Sequence, residues 1–103
     1  MRYVQAVTIL AGLLIISVPA EAKTIEITVE KLAFSPQNIE ANVGDVIEWN
    51  NKDPMQHTAT VKGGWDILLP PRKVTRQVLK SPEAVKFYCR FHPDMIGKLT
   101  VKP

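Results

Sequence analysis

The feature that most restricts the fold is a two-residue alternation that begins at Thr24 and returns in short runs to the end of the chain. In residues 24–30, Ile25, Ile27 and Val29 fall on one side, and Thr24, Glu26, Thr28 and Glu30 on the other. Successive side chains of a strand point to opposite faces, so this pattern describes a strand with one face buried. Comparable runs follow at 38–43 (Ile39, Ala41 and Val43 inward), 46–50 (Ile47, Trp49) and 57–61 (His57, Ala59, Val61). Further runs are predicted at 73–79, 84–90 and 96–101. Turn formers separate them: Ser35-Pro36, Gly44-Asp45, residues 51–54, Gly63-Gly64, Leu69-Pro70-Pro71 and Ser81-Pro82. The expectation is an all-β chain, a Greek-key β-sandwich of about seven or eight strands, with helix nearly absent.

Residues 1–22 read differently. Arg2 precedes an almost wholly apolar run, Val7 to Val18, and Ala20-Glu21-Ala22 has the small-x-small pattern of a secretory cleavage site. The run is shorter than the roughly 20 residues that span a bilayer. Cleavage after Ala22 is therefore expected, leaving one small domain, residues 23–103, exported and without stable membrane association. The formal charge of +3 is carried by scattered lysines rather than by a basic cluster with interleaved aromatics, which argues against nucleic-acid binding. At most it biases docking toward acidic partners.

The single cysteine excludes a disulfide within the chain. A free thiol in an oxidising compartment is exposed to oxidation and mixed disulfides, and a buried thiolate held by a metal escapes both. Cys89 begins the run Cys89-Arg90-Phe91-His92-Pro93-Asp94-Met95, and His57 lies upstream. Two imidazoles, a thiolate and a thioether form the ligand set of a blue-copper centre, with a weak axial Met. Zinc rarely takes Met, and structural zinc sites use several cysteines. Iron–sulfur ligation needs more cysteines than this chain has.

Strand parity places the ligands together. Val85, Phe87 and Cys89 share the inward face of one strand, and His57 opens the inward row of another, so both sit at strand ends, which gather at the poles of a sandwich. Cys89, His92 and Met95 step by three, a spacing that fits no extended strand. The reading is therefore a tight loop, punctuated by Pro93 and Gly97, wrapping all three around one point.

On these residues the mature domain resembles the small cupredoxins, and within them the amicyanin branch near plastocyanin and pseudoazurin. The motifs are Glu48-Trp49-Asn50-Asn51, Asp53-Pro54-Met55-Gln56-His57, and Phe87-Tyr88-Cys89 with His92-Pro93, Met95 and Gly97-Lys98. The resemblance implies one type 1 copper bound by His57, Cys89 and His92, with Met95 axial. It also implies that Asn51 pins the two ligand loops together by hydrogen bonds, and that His92 lies nearest the surface. Two features depart from the family pattern. Gln56 and Thr58 flank the first histidine in place of Pro and Asn, and Arg90 follows the cysteine where a small hydroxyl residue is usual, removing one expected partner of Asn51.

The function so implied is a periplasmic, monomeric electron carrier, not an enzyme. It would dock transiently around His92 to redox proteins such as a c-type cytochrome or a periplasmic dehydrogenase. Met55, Pro54, Phe91, Pro93, Leu69 and Pro70 would form the apolar rim. The alternative is a copper chaperone or sink, which Met-rich or His-rich runs would favour. Only Met55 and Met95 remain in the mature part. A Cys–His nucleophilic enzyme would need a substrate pocket and an oxyanion hole, for which so small a sandwich has little room.

Overall fold

The computed structural model describes residues 21–103, and apart from Glu21 and Ala22 the expected leader lies outside them. Nine strands form among the described residues: β1 (Thr24–Glu30), β2 (Ala33–Ser35), β3 (Asn38–Asn42), β4 (Val46–Asn51), β5 (His57–Thr60), β6 (Asp66–Leu69), β7 (Val74–Val78), β8 (Glu83–Cys89) and β9 (His92–Lys102). They make a four-stranded sheet, β2-β1-β4-β7, and a five-stranded sheet, β3-β9-β8-β5-β6. Each sheet has one parallel pair, β1 with β4 and β3 with β9, in otherwise antiparallel surroundings. The order within each sheet is not the order along the chain, so connections cross from sheet to sheet as in a Greek-key sandwich.

The alternation does what it predicts along β1, β3 and β4: Ile27, Val29, Ile39, Ala41, Ile47 and Trp49 are buried. At the centre, Phe34 and Trp49 both meet the Phe87 ring edge-on, at 4.9 and 5.2 Å between centroids. Burying a ring such as Phe87 contributes about 1.5–3 kcal/mol. Gly97 makes room for it. A side chain there would run into the Phe87 ring and lie 2.9 Å from the Gln37 carbonyl oxygen.

Four expectations need correction. Val43 is exposed rather than inward, because β3 ends at Asn42 and the chain has already turned toward Gly44. Strands β2 and β6 are not anticipated by the sequence pattern; each is short and lies at a sheet edge, paired on one side only. Asn51 belongs to the end of β4 rather than to the following loop. The fourth concerns the ligand run. Arg90 and Phe91 form a two-residue turn, and His92 already opens β9, paired with Cys89. The register then jumps, since Tyr88 pairs with Ile96, leaving Pro93, Asp94 and Met95 as an unpaired excursion on β9. The step of three is thus a wide bulge in a hairpin.

Candidate metal centre

Three strand ends meet at one pole of the five-stranded sheet. His57 starts β5, Cys89 ends β8 and His92 starts β9. His57 and Cys89 are fully buried, and His92 is partly exposed. Their ligand atoms all lie within 4.8 Å of one another. His57 Nδ1 is 3.7 Å and His92 Nδ1 3.8 Å from Cys89 Sγ. With metal–nitrogen and metal–thiolate bonds of about 2.0 and 2.3 Å, such separations correspond to an angle near 120° at a shared ion. The residues therefore fit a trigonal His2Cys site. Met95 is buried and lines a groove of about 340 Å³ with Leu32, Phe91, His92, Pro93 and Asp94.

The His57 ring is oriented from behind. Its Nε2 lies 2.6 Å from Asp53 Oδ2. A carboxylate accepts a hydrogen bond from Nε2–H and so leaves the Nδ1 lone pair facing Cys89, the arrangement that presents a neutral imidazole to a metal. Asp53 is itself held from the β1–β2 turn. Lys31 and Leu32 both have positive φ, 54° and 61°, and Lys31 N–H donates to Asp53 Oδ1 at 3.0 Å. Non-glycine residues enter that region at a cost, and here two successive N–H groups face an anion. Burial pushes the Asp53 carboxyl up, but the Lys31 N–H, the His57 ring and the Leu32 N–H together hold it below its usual value.

Asn51 is fully buried. Its Nδ2 donates to the carbonyls of Met55 (2.9 Å), Leu69 (3.0 Å) and Pro70 (3.2 Å), and its Oδ1 accepts Asp53 N–H at 3.0 Å. It thus ties the approach to His57 to the end of β6, while the link to the Cys89 side runs elsewhere. Thr58 Oγ1 accepts the Arg90 N–H at 2.9 Å, joining the residues that follow His57 and Cys89. Sequence reasoning missed Asp53 and Thr58. The one signal for Asp53 was its place four residues before a histidine at a strand start.

The expected apolar rim is partly revised. Met55 and Phe91 are exposed, but Leu69 is wholly buried because it pairs with His57 across β5 and β6 and faces the core. Leu32, which lines the groove beside Phe91 and His92, is about half exposed and was not foreseen.

Comparison with known proteins agrees with this geometry. The cupredoxin-like domain family model matches residues 4–101, and the chain belongs to that family. Among solved structures it is similar to amicyanins. An oxidised amicyanin variant shares 19% identity at a TM-score of 0.70, over 76% of this chain and 81% of that one. Amicyanin from Paracoccus versutus shares 22% at 0.66, over 84% and 87%. A reduced amicyanin variant shares 19% at 0.70, over 84% and 88%. A cupredoxin sandwich with His57, Cys89 and His92 so grouped is positioned to bind one copper ion.

Proposed function

We propose that the protein is a periplasmic blue-copper electron carrier in which His57, Cys89 and His92 bind the metal and Met95 is the weak axial ligand. The observation that carries this reading is the convergence of two Nδ1 atoms on one buried thiol, at 3.7 and 3.8 Å, at the pole of a cupredoxin sandwich. Soft thiolate and thioether donors with imidazole suit copper. Copper bound there supplies a one-electron Cu(II)/Cu(I) couple. The chain's own contribution is rigidity and access. Asp53 and Asn51 hold the His57 side, buried Cys89 is shielded from water, and partly exposed His92 offers an edge toward a partner. Phe91, Met55 and Leu32 expose apolar surface suited to brief docking with a c-type cytochrome or a periplasmic dehydrogenase.

Export rests on the leader motif: an apolar run from Val7 to Val18 followed by Ala20-Glu21-Ala22. Glu21 and Ala22 are exposed and outside any strand. Mass spectrometry of the protein recovered from cells tests it, with Lys23 expected as the first residue. No helix among the described residues is long and apolar enough to cross a membrane.

The deciding experiment is the visible spectrum of the metal-free domain after Cu(II) addition, before and after ascorbate. An intense thiolate-to-copper band that bleaches on reduction is the expected result. A weak spectrum with no thiolate band would overturn the carrier reading and bring the copper-handling alternative forward.

A further inference from the structure

Two of the three ligand-bearing strands, β5 and β8, are weakly joined where their ligands sit. β5 and β8 are registered at one pair, Thr60 with Tyr88, and β8 loses its register with β9 between Tyr88 and Cys89. Past that point side chains link the two segments. Arg90 N–H donates to Thr58 Oγ1 at 2.9 Å. Thr60 Oγ1 lies 2.6 Å from Asp66 Oδ1 and 2.9 Å from Thr58 Oγ1. A hydroxyl has one proton to give, and a carboxylate can only accept, so Thr60 donates to Asp66 and Thr58 donates to Thr60. Asp66 Oδ1 also accepts from Arg90 Nε at 3.1 Å. The hydrogen bonds thus form a closed ring that leaves Arg90 by its backbone N–H and returns to its guanidinium. Thr58 and Thr60 are buried, so water does not compete for that half of the ring.

The geometry points to a positioning role: the Thr58–Thr60–Asp66–Arg90 ring fixes the Cys89 end of β8 against the His57 end of β5, and thereby sets the thiolate's placement at the copper. The ring replaces, with different residues, the loop-to-loop link that Asn51 does not make here. It also holds the Arg90 side chain against β6, with Phe91 5.4 Å from its guanidinium carbon, rather than leaving the cation free beside the thiolate. The spectroscopic part rests on the copper reading above; the part concerning the backbone does not.

Thr58→Val removes the hydroxyl at nearly constant shape, and Thr58→Ser restores it. In the metal-free protein, Thr58→Val is expected to lower hydrogen-exchange protection of the Arg90 amide roughly tenfold or more. In the copper-loaded protein it is expected to shift the reduction potential and the electron paramagnetic signature, with Ser returning both toward wild type. Asp66→Ala, at a half-exposed position, removes the acceptor shared by Thr60 and Arg90, opens the ring from its far end and is expected to give smaller changes in the same direction. A Thr58→Val protein altered only in thermal stability, or a Ser variant that rescues nothing, overturns the proposal. So does an Asp66→Ala protein with unchanged Arg90 protection, which remains decisive where the valine variant fails to fold. If wild type shows no thiolate band, the copper reading falls, while amide exchange still decides whether the ring fixes the backbone.

Discussion

Each end of the sandwich is organised around a buried aspartate, and the two differ in what they hold. At the end remote from the metal centre, Asp45 accepts the N–H groups of Lys23 (2.9 Å) and Asn42 (2.8 Å), closing the β3–β4 turn onto the start of β1. Those bonds from Asn42 and then Lys23 keep its carboxyl below the usual value against the opposing effect of burial. At the other end Asp53 likewise takes a backbone N–H, but one of its oxygens is given to the His57 ring. The same device serves architecture alone at one pole and a functional side chain at the other. The contrast shows how little a β-sandwich must change to build a site: a capping carboxylate and a histidine at the next strand start.

The largest effect should come from the core that both poles share. Phe87→Ala empties space beneath Gly97 and between Phe34 and Trp49, and is expected to cost about 3–5 kcal/mol in chemical denaturation. A loss below about 1 kcal/mol would show that the poles, rather than the middle, carry the fold.

Separating the poles comes next. Asp53→Asn leaves His57 without its carboxylate and is expected to weaken copper binding about 10–100-fold in a chelator competition. Asp45→Asn should leave copper affinity unchanged and lower stability by about 1–2 kcal/mol. Equal copper affinities in the two variants would erase the distinction drawn here.

Acid sharpens it further. The folded Asp45 carboxyl lies below the usual aspartate value, so its contribution to stability is complete above that usual value. It is then lost as pH falls through the folded value. An acid titration of stability should therefore be flatter in Asp45→Asn than in wild type below about pH 4. Parallel curves would mean that Asp45 adds nothing in this window.

The smallest effect on folding belongs to the exposed rim. Phe91→Ser should change stability by less than about 0.5 kcal/mol, yet slow electron exchange with a redox partner in stopped-flow mixing. An unchanged exchange rate would move the docking face away from His92.

How much of this was legible in the chain depends on the range of the cause. Alternation is local, one residue setting the face of the next, so the inward rows of β1 and β4 could be read directly. The parity that put Cys89 beside Phe87 on the core face was equally local. Edge strands β2 and β6 escaped because their short runs, Ala33–Ser35 and Asp66–Leu69, carry no clear polar–apolar alternation. The β1–β2 turn also uses Lys31 and Leu32 at positive φ without the Asn or Gly that would announce it.

By itself, then, the sequence determined the all-β class, the cysteine without a disulfide partner and the donor types, because these follow from residue chemistry and a two-residue period. Only the tertiary structure decided that Asp53 would back His57, that Asn51 would bind the β6 end rather than the cysteine side, and that Thr58 would catch the Arg90 N–H. Those contacts join residues whose proximity is created by sheet pairing and a bulge. No local pattern encodes such a distance; it exists once the strands have found their register.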